Sequence, residues 1–130
     1  MLCQQCMRNI IFVLTVAAVF IACTKAFVTS TDVQLRVYNT SSNLFDSVVV
    51  NSPGGKQVYY NVQASSLSDY KNFSFLYNYA YIEVHFNNQM LKLQPIDYVG
   101  EEKLKTGKYS YMIGIVAGNP VSLSLECKKD

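Results

Sequence analysis

From residue 32 onward, apolar side chains recur at every second position, and this period constrains the fold more than any other feature of the chain. Successive residues of a strand face opposite sides, so the alternation marks half-buried strands, whereas a helix needs a 3.6-residue period. In "DVQLRVYN", Val33, Leu35 and Val37 share one face, with Gln34, Arg36 and Tyr38 on the other. "LFDSVVVN" is more uniformly apolar around Val48 to Val50, as for a strand covered on both sides. "QVYYNVQ" sets Val58, Tyr60 and Val62 in phase, and "SLSDYKNF" reads as a short edge strand. In "YAYIEVHF" Ala80, Ile82, Val84 and Phe86 face one way. "MLKLQPI" turns Leu91 and Leu93 inward and ends near Pro95, which cannot donate to a ladder. "KYSYMIGIVAG" aligns Tyr109, Tyr111, Ile113 and Ile115, and "VSLSLEC" aligns Val121, Leu123, Leu125 and Cys127. Turn signals separate the runs at Ser52-Pro53-Gly54-Gly55, Asn87-Asn88 and Ala117 to Pro120. A single helical turn fits only within "SSLSDYKNFSFLYNY". The pattern predicts an all-β domain, an antiparallel β-sandwich of about seven strands.

The start of the chain obeys a different rule. Ile10 to Ala22 is a 13-residue run (22 − 10 + 1) interrupted only by Thr15, after a polar start whose one basic residue is Arg8. A membrane-spanning helix needs about 20 such residues. The run therefore reads as the helical apolar region of a secretory signal, with an uncleaved anchor helix as the alternative. It ends in "FIAC", with apolar Phe20 three residues before Cys23 and small Ala22 directly before it. This resembles the lipobox of bacterial lipoproteins. The resemblance implies that the Cys23 thiolate takes a diacylglycerol, that the signal is cut before it, and that the new amine is acylated. Ordinary cleavage after Ala26, giving a soluble secreted domain, is the competing reading. Residues 1–22 are then the signal, 23–31 the lipidated cysteine and its tether, and 32–130 the sandwich. Thr24 to Thr31 would reach roughly 25–30 Å fully extended.

The cysteines and charges narrow the partners. Cys3 and Cys6 leave with the signal, and with no second pair or histidine nearby they do not suggest zinc. A Cys23–Cys127 bridge competes with acylation for the same sulfur; otherwise Cys127 is a small buried hydrophobe. Of the 11 Lys and Arg only Arg8 precedes Cys23, leaving ten against nine acids. With no basic arm or stripe, nucleic acid is not an expected partner. The membrane is, through Cys23.

"LKTGKYSY" holds Leu104, then Gly107, then Tyr109. It resembles the corner of immunoglobulin-like and transthyretin-like sandwiches, where a tyrosine hydroxyl returns to the backbone upstream. No cysteine pair or tryptophan marks a true immunoglobulin domain. "SDYK" (68–71), "YAYIEV" (79–84) and "QPIDYVGEEKLKTGKYSY" (94–111) resemble small cell-envelope lipoproteins of Bacteroidota. That resemblance implies an outer-membrane destination and brings no catalytic residues.

Chemistry is sparse. His85 is the single histidine, so any Ser–His or Cys–His dyad must use it, with Glu83 two residues away on the same face. "GxSxG" is absent, as is a phosphate-cradling glycine loop. Glu101-Glu102 is a carboxylate pair, but adjacent loop acids do not face one another across a cleft. Asp97 with the same pair lacks calcium-loop spacing. No cofactor is expected. If residues 77–86 are one strand, Tyr77, Tyr79, Tyr81, Glu83 and His85 line one face, extended by Tyr38 and Tyr59 if their strands are neighbours. Tyrosine is both a good strand residue and an amphipathic contact residue. The expected role is thus a non-catalytic one, binding or structural, for a module lipid-anchored in the bacterial envelope with a protein or glycan partner near the membrane. The alternative is a small envelope hydrolase using His85 with Glu83 or the Glu101-Glu102 loop.

Overall fold

The computed structural model describes residues 33–130. The signal segment, Cys3, Cys6, the lipobox Cys23 and the Ala26 alternative all lie outside those residues. The described part is all-β, with nine strands: β1 (Val33–Asn39), β2 (Phe45–Ser52), β3 (Gly55–Val62), β4 (Ser66–Leu67), β5 (Lys71–Phe73), β6 (Tyr81–Phe86), β7 (Gln89–Leu93), β8 (Gly107–Val116) and β9 (Ser122–Lys129). They form two sheets. One runs β4-β1-β8-β9 with β5 also on β1, and the other runs β3-β2-β6-β7. Their apolar faces meet as a sandwich. The expected sandwich is present, with one refinement: β1 and β8 pair in parallel, in register from Val33 with Gly107 to Asn39 with Ile113.

Alternation places the core. Val33, Leu35 and Val37 of β1, Ile82, Val84 and Phe86 of β6, and Tyr109, Tyr111 and Ile113 of β8 are all buried. Leu91 and Leu93 pack against them from β7, which ends before Pro95. Asn87 and Asn88 both take positive φ (48° and 58°), as a two-residue I′ hairpin turn requires. The tyrosine corner is present as well: the Tyr109 hydroxyl donates to the Lys105 carbonyl at 2.9 Å.

Three strand expectations are corrected. β2 is not covered on both sides: Val48 and Val50 are buried, while Val49 between them is only half-buried. In β3 the inward residue is Tyr59, and Tyr60 is 68% exposed. Asn61 takes a positive φ of 53°, which breaks the alternation, so Val62 returns inward three residues after Tyr59. The buried Tyr59 hydroxyl crosses the core to donate to the Leu35 carbonyl at 2.8 Å. Finally, the 67–73 edge is two short strands. β4 and β5 pair with opposite ends of β1, and between them Ser68 takes over. Its Oγ accepts from the Val37 amide at 2.9 Å, and its amide donates to the Val37 carbonyl at 2.8 Å. The edge of β1 is satisfied without a continuous partner.

The sandwich has two distinguishable ends. At one, the start of β1 meets Phe73 and Gly107, Ser74 donates to the Gly54 carbonyl, and Leu104 donates to the Leu76 carbonyl. At the other, the Asn39 side chain donates to the Asn43 and Val62 carbonyls, and Asn87 to Asn43 Oδ1. The chain enters the fold at the first end.

Candidate functional site

The row of five expected site residues divides at Tyr81, where β6 begins. Tyr81, Glu83 and His85 do share the outward face of β6, opposite the buried Ile82 and Val84. Tyr77 and Tyr79 precede the strand and belong to a different cluster. Tyr38 and Tyr59 do not extend the row either. Tyr59 points into the core, and Tyr38 is on β1 in the other sheet.

Glu83 is the hub of the β6 group. The Tyr81 hydroxyl donates to Oε2 at 2.8 Å, and His85 Nε2 lies 2.7 Å from Oε1. An ionised carboxylate can only accept, so the His85 ring donates there. Lys92 Nζ, across the pair on β7, is 3.7 Å from Oε2. These hydrogen bonds, His85 first and Tyr81 next, hold the Glu83 carboxyl below the usual glutamate range. The same bond raises the Tyr81 hydroxyl above the ordinary tyrosine value. Register fixes the neighbours: Ser47 lies opposite His85, and Val49 opposite Glu83. Tyr60 lies beyond Ser47 on β3, and Met90 beyond His85 on β7. Tyr60 and Met90 are 68% and 47% exposed. The result is an open sheet face with an ordered polar centre and exposed aromatic and thioether flanks.

A Ser47–His85–Glu83 alignment is the nearest thing to a nucleophilic triad. It lies on a pleated surface, and among the described residues no hydrogen bond joins Ser47 to His85. The backbone of β2 is paired on both sides, with β3 and with β6, so its amides are committed to the ladder rather than aimed at an oxyanion. Glu101 and Glu102 are not with His85. The Glu101 amide donates to the Tyr98 carbonyl at 3.2 Å, and Tyr98 stacks on Tyr79, so this acid pair belongs to the loop before β8 and to the cluster that precedes β6. His85 is four residues along β6 from Tyr81, roughly 13 Å away at a strand's rise. Among the described residues no group of three or more His, Cys, Asp and Glu could hold a metal ion.

Tyr77 and Tyr79 instead stack with Tyr98, at centroid distances of 5.0 Å and 5.3 Å and interplanar angles of 30° and 15°. Phe75 meets Tyr77 edge-on at 5.9 Å, and Lys103 Nζ sits 4.0 Å over the Phe75 ring. The Tyr79 hydroxyl donates to the Asp97 carbonyl at 2.8 Å. The Tyr111 hydroxyl comes from inside the core and donates to the Tyr77 carbonyl at 2.6 Å. These contacts shape the 94–106 loop at the end where the chain enters.

One charged cluster had no sequence signal. On the outer face of the first sheet, Asp130 accepts from the Tyr70 hydroxyl at 2.6 Å and from Ser110 Oγ at 2.7 Å, and pairs with Arg36 at 3.1 Å. Arg36 and Lys108 each lie 4.8 Å from the Tyr70 ring centroid. Burial pushes the Asp130 carboxyl up, but the hydrogen bonds from Tyr70, Ser110 and Arg36 and the Arg36 charge outweigh it, so the value is lowered. A lowered folded value means the contribution is complete above the unfolded pKa of about 3.9 and is lost as the pH falls through the folded one. Asp130→Asn should lower stability by about 1–2 kcal/mol at neutral pH, allowing for the pair's partial exposure. Its denaturation midpoint should converge with that of the unaltered protein at the acid end of a pH series. A constant gap across the series would show that the carboxylate charge is not what matters.

No protein-family model matches the chain, and no curated protein matches it.

Proposed function

We propose that the protein is a lipid-anchored module of the bacterial envelope. Acylated Cys23 holds it at a membrane, and the outer face of β3-β2-β6-β7 takes a protein partner without catalysis. The observation that carries this reading is the Glu83 hub, with Tyr81, His85 and Lys92 ordered around one carboxylate and with the exposed Tyr60 and Met90 at the two ends of the neighbouring Ser47–His85 row. Tyrosine and methionine are enriched at protein interfaces, and polar groups ordered in advance lose less freedom on binding. The openness of the face favours a protein over a glycan, since small ligands are taken in concave sites. The membrane placement is supported by the "FIAC" motif ending a short apolar run.

The test is in-cell photo-cross-linking from position 60 of the full chain, read by mass spectrometry. A discrete protein adduct is expected, and its yield should fall about tenfold or more, or about 1.4 kcal/mol, when Met90→Ser and His85→Ala are introduced. An adduct indifferent to both changes would move the partner off this face. A hydrolytic turnover abolished by His85→Ala would favour the enzyme instead.

A further inference from the structure

We propose that the 94–106 loop docks on the surface of the bilayer, so that the domain stands on the membrane by its tether end; this rests on the acylation of Cys23 proposed above. Ile96 and Val99 are the two most exposed large apolar side chains among the described residues, at 101% and 87%. Both lie on this one loop. The same loop carries Tyr98, stacked with Tyr77 and Tyr79, and tyrosine is enriched where membranes meet water. The position of the chain entry supplies the occupant. Val33, the first described residue, lines a recess of about 480 Å³ together with Phe75, Lys103, Lys105 and Thr106. Nine residues lie between it and Cys23, and the ten backbone steps span at most roughly 33–36 Å of extended chain. An anchored domain therefore keeps this end within reach of the lipid, and the loop with the exposed Ile96 and Val99 is at this end.

The charges say what kind of contact it is. Residues 94–106 hold Asp97, Glu101 and Glu102 against Lys103 and Lys105, so the loop has no net pull towards an anionic surface. Its contact is apolar and should persist in uncharged lipid and at high salt. Acyl chains already supply durable anchorage, so the loop sets orientation. It leaves the Glu83 face standing clear of the membrane, turned sideways to a neighbour.

The chain contains no tryptophan, which allows a clean probe. Ile96→Trp, and separately Val99→Trp, would be placed in the full chain, produced in a bacterial host and reconstituted into phosphatidylcholine vesicles containing brominated lipid. Val121→Trp, at the opposite end and 45% exposed, is the reference. Intact mass first establishes acylation of each sample. The expected result is blue-shifted emission quenched by bromolipid at positions 96 and 99 but not at 121, unchanged by salt. Acylated, vesicle-bound protein with all three positions equally unquenched overturns the docking while leaving the anchor intact. An unmodified Cys23 overturns both. Blue-shifted emission without bromolipid quenching would mean that another copy of the chain covers the loop, and also overturns the proposal.

Discussion

Gly54→Ala should cost about 3 kcal/mol or more of stability, at or above the usual range for inserting atoms into packed structure. Gly54 sits in the turn between β2 and β3, and a methyl group there would collide with the backbone carbonyl of Phe75. The Phe75 carbonyl carbon and amide nitrogen would also lie only 2.7 Å away. Backbone cannot rotate aside as a side chain can. The adjoining segment is fixed as well, because Ser74 donates to the Gly54 carbonyl at 3.0 Å. The turn and the 74–80 segment must separate together. Gly114→Ala is the informative contrast. Its new methyl would meet Thr40 Oγ1 at 2.6 Å and Ser124 Oγ at 2.8 Å, both on side chains that can change rotamer. The expected loss there is smaller, about 1 kcal/mol. Urea denaturation separates the cases: the Gly54→Ala midpoint falls well below that of Gly114→Ala with the slope unchanged. Equal midpoints would show that Phe75 yields easily and that the close approach is not a constraint.

The same close approach shows where the sequence was legible and where it was not. A period of two needs only the chain itself, so Val33, Leu35 and Val37, and likewise Ile82, Val84 and Phe86, could be assigned to the core on sight. The corner at Tyr109 is equally local, since its acceptor Lys105 is four residues away. What failed was set by backbone torsion or by distant pairing. The positive φ of Asn61 puts Tyr59 rather than Tyr60 inside, and asparagine tolerates that conformation without announcing it. The start of β6 at Tyr81 depends on the residues before it turning away to meet Tyr98, which no spacing encodes. The parallel β1–β8 pair and the Arg36–Asp130 cluster join segments that lie far apart in the sequence. For the site, Tyr81, Glu83 and His85 were found because they share a strand face. Tyr60, Met90 and Lys92 were missed because only register brings them alongside.

Tyr111→Ala should be the most damaging side-chain truncation, at about 3–5 kcal/mol for an aromatic removed from a core. Tyr111 is fully buried, and burial raises its hydroxyl far above the ordinary tyrosine value, so it remains a donor at any working pH. That donor ends on the Tyr77 carbonyl, which lies in the segment that carries the Tyr77–Tyr98–Tyr79 stack. Two roles are therefore combined in one residue. Its ring fills the space between the sheets, and its hydroxyl ties the core to the loop end. Tyr111→Phe separates them. It keeps the ring and leaves the Tyr77 carbonyl without its partner, for a loss of about 1–3 kcal/mol. In a domain of this size each kcal/mol moves the melting temperature by about 4–8 °C, so the two variants should be well resolved. Hydrogen exchange adds the local test. In Tyr111→Phe, amides of residues 74–80 should exchange faster while those of β2 and β6 keep their protection relative to global stability. If exchange instead rises uniformly, the hydroxyl contributes only to overall stability, and the tyrosine stack holds its place by its own contacts with Tyr98 and Phe75.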